Sequence, residues 1–245
     1  MRPVLFAWRG IRIWSYPACL FLGVNVGVVA QNWAANAVGA NAWRVYVATL
    51  VLLPVALVGS RLLFLVGRWR YYVEHPGRIW RRTDGGMSML GGVPIMVAVS
   101  IPLLGALHLP FWVFWDLSIF CILAGMACTR VGCLLNGCCA GRETGHSWSL
   151  YLPNCRGVWA RRYPTQLLEG AVALLLLGVA ATVYRGLAHR QGILFLIVIG
   201  AYGLARFGLE SLREERDRLG PFDLQHVMAS GLVAFSVIGL VLLIR

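Results

Sequence analysis

Apolar runs of about 20 residues recur along the whole sequence, and that length suits helices that cross a lipid bilayer. Of the 245 residues, 59% are hydrophobic and only 13% are charged, whereas soluble domains average about half and about a quarter. Because lipid offers no hydrogen-bond partners, a spanning segment must pair its own backbone groups, as a helix does. The sequence therefore predicts an all-α integral membrane protein.

Seven runs are long enough to be transmembrane helices, and no segment between them has the length of a soluble domain. The predicted spans are about 13–33, 43–67, 87–108, 111–129, 164–184, 191–211 and 222–244. Two arginine-rich arms, 68–86 and 141–163, connect the second span to the third and the fourth to the fifth. We expect a single transmembrane domain over residues 1–245, with a polar, arginine-containing internal cavity.

The net charge is +12, and all 22 basic residues are arginine. Arginine keeps its charge and binds phosphate through two parallel hydrogen bonds. A chain buried mostly in lipid is poorly suited to bind nucleic acid, so none is expected as a partner. Anionic phospholipid head groups are the expected counter-charge.

Ionisable side chains lie inside several predicted spans, where they are costly and usually functional. Arg130 closes the fourth span, Glu169 lies in the fifth, and Arg206 and Glu210 lie in the sixth. Because Arg206 and Glu210 are four residues apart on one helical face, a structural ion pair is one interpretation. Arg61, in the second span, could instead extend to the membrane interface. Polar groups from several spans nevertheless favour a shared internal cavity.

Three cysteines, Cys133, Cys138 and Cys139, follow the fourth span, and Cys155 lies further along the same arm. The C-x4-C-C spacing departs from the paired pattern of zinc sites, so no metal is expected. A disulfide from Cys155 to Cys138 or Cys139, a nucleophilic cysteine, and packing of small side chains all stay open. No Ser–His–Asp, nucleotide-binding or H-E-x-x-H motif is present, so no cofactor is expected.

Six ordered segments resemble motifs of the bacterial prolipoprotein diacylglyceryl transferases, from about residue 12 to 226. They read IRIWSYPACLFLGVNVG, GSRLLFLVGRWRYYVEHPGRIW, SMLGGVP, RVGCLLNGCCAG, YPTQLLE and YGLARFGLESLRE. The fourth is similar to the family's arginine–glycine–asparagine signature, and the sixth to its tyrosine–arginine–phenylalanine–glutamate–arginine motif. The resemblance implies seven spans in the bacterial inner membrane and a site that opens to the outer leaflet and periplasm.

Members of that family transfer diacylglyceryl from phosphatidylglycerol to the thiol of a lipobox cysteine in a secreted preprotein, a step of lipoprotein biosynthesis. The resemblance therefore implies a phospholipid-dependent transferase with a phosphatidylglycerol-like donor. The predicted catalytic set joins matched functional positions with two cysteines: Arg130, Arg206, Glu210, Cys138 and Cys139. The predicted substrate-binding set contains the matched supporting positions: Tyr16, Arg61, Gly91, Gly92, Gly132, Asn136, Gly141, Gln166, Glu169 and Tyr202.

Four positions depart from the family pattern, in which histidine, asparagine, glutamate and histidine are found. They are Leu90, Cys133, Cys138 and Tyr163, respectively. A carboxylate or imidazole that could accept a thiol proton is therefore missing at several places. Three functions stay open: a transferase with a thiol or another acceptor, a non-catalytic lipid or small-molecule binder or transporter, and a cysteine-dependent membrane enzyme with another substrate.

The arginine distribution and the resemblance predict opposite orientations. Fifteen arginines fall on the side of the N-terminus and four on the other, which by the positive-inside rule places the N-terminus in the cytoplasm. The resemblance places it outside. We favour the resemblance, because arginines that bind substrate from the arms bias the count.

Overall fold

A computed structural model describes residues 4–8, 11–67, 69–78, 89–214, 218–219 and 222–244. Within these residues lie eight α-helices: α1 (Ser15–Ala37), α2 (Ala42–Gly67), α3 (Trp69–Glu74), α4 (Met89–Ala106), α5 (Phe111–Asn136), α6 (Thr165–Leu187), α7 (Ile193–Glu210) and α8 (Leu224–Ile244). Three antiparallel hairpins pair β1 (Val4–Trp8) with β2 (Ile11–Trp14), β3 (Leu150–Pro153) with β4 (Trp159–Arg162), and β5 (Arg218–Leu219) with β6 (Phe222–Asp223).

Six helices of the described ranges, α1, α2 and α5 to α8, are long and apolar enough to cross a membrane. Helix α4 adds a shorter apolar segment over Ile95–Ala106. The predicted third span includes residues 87 and 88, which lie outside the described residues. The all-α integral membrane fold is confirmed, whereas the count of seven spans stays a prediction. The short hairpins were missed by the sequence analysis.

The chain divides into two compact units, one of Ala40–Phe114 and one of Met1–Gly39 with Trp115–Arg245. In the first unit, α2 and α4 pack closely at Gly92. A Cβ added to Gly92 would lie 2.8 Å from the carbonyl oxygen of Ala56, so only glycine allows this approach. The single-domain organisation stays a prediction.

In the second unit, α1 and α5 approach each other through glycines that face cysteines. A Cβ on Gly27 would lie 2.7 Å from the carbonyl oxygen of Cys121, and one on Gly23 would lie 2.9 Å from the Cβ of Cys128. Small residues at helix crossings allow the close packing that stabilises membrane bundles. Cys121 and Cys128 therefore act as small packing residues, in agreement with their apolar sequence context.

Helix α5 corrects one boundary, because it continues past residue 129 and ends at Asn136. The prediction that Arg130 closes the span is therefore wrong, because Arg130 and Cys133 both lie inside the helix. The chain then turns at Gly137, whose φ of +74° favours glycine. The signature segment is therefore half helix and half turn.

Asp116, near the start of α5, caps the N-terminus of α7. Its Oδ2 accepts a hydrogen bond from the Gly192 N–H at 2.6 Å, and its Oδ1 accepts one from the Phe195 N–H at 2.7 Å. These N–H groups belong to the end of a helix, where the helix itself offers no acceptor. Asp116 thereby fixes the beginning of the helix that carries Arg206 and Glu210.

We expect Asp116→Ala to lower stability by about 1 kcal/mol, as loss of an N-cap acceptor usually does. The measurement is the thermal unfolding of the full chain in detergent. Asp116→Asn keeps a side-chain oxygen and is expected to lose less. Equal unfolding temperatures for Asp116→Ala and wild type would show that the cap contributes nothing.

Candidate active site

The ends of five helices of the second unit meet at one place. They are the N-terminal ends of α1, α6 and α8 and the C-terminal ends of α5 and α7, as the contacts described below establish. Most of the ionisable residues predicted from the sequence lie at these ends. The chain segments 137–164 and 211–223 connect them.

Glu169 of α6 links two arginines from different helices. Its Oε2 lies 2.5 Å from the Arg130 Nη2 of α5, and its Oε1 accepts a hydrogen bond from Arg206 Nη1 of α7. Only 1% of the Glu169 side chain is exposed. A buried carboxylate needs such partners, because an uncompensated charge would be strongly destabilising. Glu169 therefore holds the two guanidinium groups side by side.

Arg206 has two further partners. Its Nη2 lies 2.8 Å from Oε2 of Glu210, one turn further along α7, and donates to Oε1 of Gln225 on α8 at 3.4 Å. Glu210 is fully buried. The i,i+4 ion pair considered from the sequence thus exists, but as one part of a larger network.

Arg213 joins this network and was not selected from the sequence. Its guanidinium lies 3.9 Å from Glu169 and 3.8 Å from Glu210. A bridge between Gly141 and Arg213 positions it, supported by a hydrogen bond from the Arg142 N–H to the Leu212 carbonyl at 2.8 Å. Arg213 lies three residues after Glu210 in the segment YGLARFGLESLRE, and this spacing could have indicated that the two side chains pair.

Arg162 is a second arginine that the sequence analysis missed. It is fully buried at the end of β4, where its guanidinium pairs with Glu143 at 3.0 Å and Glu214 at 2.8 Å. Its Nη1 also donates to the carbonyl of Gly141. Arg162 therefore ties the arm to the segment that carries Arg213, and is a positioning residue.

Two side chains at the beginning of α6 fix the turn that contains the adjacent cysteines. Thr165 Oγ1 donates to the Cys139 carbonyl, and Gln166 Nε2 donates to the Cys138 carbonyl, both at 2.9 Å. Both side chains are buried. Gln166 has this supporting contact, and its role in substrate binding stays a prediction. Tyr202 of α7 interacts electrostatically with Arg130.

The thiols of Cys133, Cys138 and Cys139 converge, with all three sulfur atoms within 4.8 Å of one another. All three are free, and Cys155 is not part of the group. Cys139 has a left-handed backbone, with φ of +60°, which costs about 1 kcal/mol in a residue with a side chain. The adjacent thiols of Cys133 and Cys138 lower the pKa of Cys139 below its ordinary value, and nearby Arg213 and Arg130 act in the same direction.

Asn136 and Tyr16 lie beside this cysteine group. The Asn136 side chain interacts with the Cys138 thiol, and the Tyr16 phenol interacts electrostatically with the three thiols and with Arg130. Arg130 Nη1 itself lies 4.0 Å from the Cys133 sulfur. The cysteine group and the arginine network are therefore neighbours that share Arg130.

Four further predicted residues remain, one on α5 and three in the other unit. Gly132 packs against α1, where an added Cβ would lie 2.9 Å from the Cβ of Cys19. Arg61, Gly91 and Gly92 belong to the other unit, on α2 and α4. Gly132 and Gly92 thus have packing reasons to be glycine, and a role in substrate binding stays a prediction for all four.

The network carries an excess of positive charge. Three guanidinium groups, from Arg130, Arg206 and Arg213, face the two carboxylates of Glu169 and Glu210. Among the described residues, no acceptor pairs with the buried Nε–H groups of Arg130 and Arg213. A phosphate oxygen is a suitable acceptor for such donors. The arrangement can therefore bind an anionic group and stabilise negative charge that develops on it.

The sequence pattern of the prolipoprotein diacylglyceryl transferases matches residues 3–244. The chain belongs to this family. Similar proteins named phosphatidylglycerol–prolipoprotein diacylglyceryl transferase include one from Nostoc sp. (strain PCC 7120 / SAG 25.82 / UTEX 2576), 27% identical over 97% of this chain and 88% of the relative. Another, from Bacillus cereus (strain 03BB102), is 31% identical over 77% of this chain and 72% of the relative.

Family membership makes the chain a transferase and agrees with the resemblance found in the motifs. It also gives the multi-pass helices a context, because the family acts on a lipid-derived group. The predicted transferase activity is confirmed at the level of the family. The acceptor used by this chain is a separate question, and the substituted residues of the signature bear on it.

Gly141 offers a test of how the arm positions Arg213. A Cβ at this residue would lie 2.2 Å from the carbonyl oxygen of Tyr163, so Gly141→Ala must displace the residue 141 backbone, which pairs with Arg213. We expect transferase activity to fall about tenfold or more, equivalent to about 1.4 kcal/mol. Gly145→Ala is the matched control, since no atom lies within 4 Å of its added Cβ. Equal activity of the two variants would contradict this role of Gly141.

Proposed function

We propose that this protein transfers diacylglyceryl from phosphatidylglycerol to the cysteine thiol of a prolipoprotein. The names of its relatives carry both substrates. The observation that carries the proposal most directly is the buried arginine network with its excess positive charge and unpaired Nε–H donors. Such a network suits a phosphodiester that leaves as glycerol phosphate.

In this proposal, Arg130 and Arg206 bind the phosphate of the donor, and Arg213 adds a third cation. Negative charge grows on the phosphate as the bond to the glyceryl carbon breaks, so fixed guanidinium groups favour the transition state over the ground state. Glu169 and Glu210 are positioning residues, because each pairs with two or more of the arginines. Their carboxylates hold the donors in place before the lipid arrives.

The acceptor half of the site differs from the family pattern, with cysteines where the resemblance implies asparagine and glutamate. The three thiols lie next to Arg130, and so next to the proposed phosphate position. An acceptor thiol that approached the glyceryl carbon would therefore pass close to them. Gly91, Gly92, Gln166 and Asn136 stay predicted substrate-binding residues.

The alternative is a binder or transporter that retained the fold but lost the catalytic activity. A direct assay distinguishes this alternative from a transferase. Purified protein is incubated with phosphatidylglycerol labelled in its head group, with and without a peptide that contains one lipobox cysteine. Peptide-dependent release of labelled glycerol phosphate is the expected result. Retention of intact lipid, without release, would support the binder and contradict the proposal.

In the same assay, Arg130→Ala and Arg206→Ala are each expected to lower turnover by about 100-fold or more, as loss of a transition-state donor does. Arg206→Lys keeps the charge but not the planar fork that contacts Glu169 and Glu210 together, so it should rescue only part of the activity. The matched control is Arg185→Ala, an exposed arginine at the far end of α6.

Full activity in Arg130→Ala or in Arg206→Ala would contradict the phosphate-binding role. Thermal unfolding of each variant separates lost chemistry from lost folding. Cys138→Ser and Cys139→Ser complete the series, because the cysteine-dependent alternative predicts that these variants lose activity whereas Arg206→Ala keeps some.

We further propose that the protein lies in the bacterial inner membrane with its N-terminus outside and the arginine network towards the outer leaflet. The arginine distribution predicts the opposite orientation, but it is weaker evidence than the count of fifteen against four suggests. Arg162 and Arg213, two of the arginines counted on the N-terminal side, are engaged in ion pairs at 0% and 12% exposure. Arginines in buried ion pairs stabilise the structure of the site, so their number on one side is not a direct measure of membrane orientation.

A reporter fused after residue 245 tests this orientation. With an odd number of spans and an external N-terminus, the fusion point lies in the cytoplasm, so a fluorescent reporter should be bright and an alkaline phosphatase reporter inactive. Fusions in the 141–163 arm provide the control and should behave in the opposite way. Phosphatase activity at the C-terminal fusion would overturn the proposed orientation.

A further inference from the structure

The group formed by Cys133, Cys138 and Cys139 has the geometry of a metal site. Zinc–sulfur bonds are about 2.3 Å long, so thiolates around one tetrahedral zinc ion lie about 4 Å apart. The three sulfur atoms here lie within 4.8 Å of one another, and small side-chain movements bring them to that spacing. The C-x4-C-C spacing argued against a metal site, but the fold brings the three sulfur atoms together despite that spacing.

The surrounding structure holds the three thiols in this arrangement at some cost. Helix α5 carries Cys133, and the turn after Gly137 brings the other two sulfur atoms back beside it. Cys139 keeps its left-handed backbone although it is not glycine, and Thr165 and Gln166 anchor the carbonyls of the two adjacent cysteines. A turn built and anchored in this way is typical of a preformed ligand set rather than of incidental packing.

Three thiolates alone leave one position of a tetrahedral zinc ion open. Among the described residues, no histidine, aspartate or glutamate adds a fourth ligand atom to the group. Structural zinc sites have four protein ligands, whereas catalytic sites have three and bind a water or a substrate at the fourth. Arg130 Nη1 lies 4.0 Å from the Cys133 sulfur, so the three thiols lie beside a positive charge that offsets excess thiolate charge.

We propose that Cys133, Cys138 and Cys139 bind one zinc ion whose open position takes the acceptor thiol. The choice of acceptor rests on the proposed function, but the zinc site itself does not. Zinc binding removes the proton from a bound thiol, which supplies the nucleophile without the carboxylate or imidazole that this chain lacks at the family positions.

The reaction balances without any change in oxidation state. The acceptor thiol loses its proton as it binds zinc, and its sulfur then forms a bond to the glyceryl carbon. The bond from that carbon to the phosphate oxygen breaks, and its electron pair stays on the oxygen. Glycerol phosphate leaves and takes up one proton in place of the one released. The product thioether is a weak ligand, so it dissociates and restores the open position.

Metal content of the full chain, purified in detergent under reducing conditions, is the first measurement. We expect about one zinc ion per chain in the wild type, and loss of that ion in Cys138→Ser and Cys139→Ser. Cys155→Ser is the matched control, because Cys155 is exposed and outside the group, and it should retain zinc. Thermal unfolding with and without added zinc, compared among the same variants, accounts for any variant that folds poorly.

Cobalt substitution reports the ligands and the open position. The Co²⁺ form should show thiolate-to-metal charge transfer and intense tetrahedral visible bands. Addition of a peptide with one cysteine should shift those bands, whereas its serine counterpart should not. A wild-type chain without zinc affinity, one that selects copper instead, or a cobalt spectrum that the cysteine peptide leaves unchanged would each overturn the inference.

These outcomes are separate from those that test the proposed function. Arg206→Ala should lose transfer but retain zinc and the cobalt spectrum, because Arg206 contacts none of the three thiols in the described network. If the wild-type chain binds no zinc but still transfers the lipid group in a reaction that Arg206→Ala abolishes, the zinc site is contradicted and the proposed function is not. Zinc binding without any transfer contradicts the proposed function alone.

Discussion

The sharing of the Glu169 carboxylate between Arg130 and Arg206 is the interaction on which the rest of the site depends. It joins α5, α6 and α7 inside the protein, where an unpaired charge would be costly. Because Glu169 is almost fully buried, separation of the three helices there would break the ion pairs that compensate its charge. Arg213 and Glu210 extend the same network to the segment after α7. Ion pairs thus hold the helices together at this site, whereas apolar side chains pack the helices elsewhere in the bundle.

Much of the fold could be predicted because hydropathy alone locates helices in lipid. Helix ends were harder, since they depend on local contacts: α5 continues to Asn136 and ends only where Gly137 adopts a left-handed conformation. Charged residues inside spans, such as Arg206 and Glu169, were visible because lipid makes them exceptional. Arg162 and Arg213 were not selected, because an arginine outside the spans looks like an ordinary surface residue until its segment folds against the helices. Only the spacing of Arg213 from Glu210 gave a signal.

The cysteines show the opposite limit of sequence reasoning. Spacing rules for metal sites describe ligands on one local loop, and C-x4-C-C does not satisfy them. The structure combines a residue on the last turn of a helix with two on the following turn, and the positive φ of Cys139 accompanies their convergence. Neither the helix extension nor that backbone conformation follows from residue types. The proximity of the sulfur atoms is therefore a property of the folded chain that residue spacing does not indicate.

Arg130 connects the two halves of the proposed chemistry. Its guanidinium pairs with Glu169 on one side and lies beside the Cys133 sulfur on the other. A cation in that position lowers the electrostatic cost of bringing a thiolate towards a phosphodiester, two groups that otherwise repel each other. On this proposal, Cys138, at a position where the resemblance implies glutamate, takes part in activating the nucleophile while the arginines are retained. The nucleophile can change its source of activation, but the leaving phosphate still needs fixed positive charge.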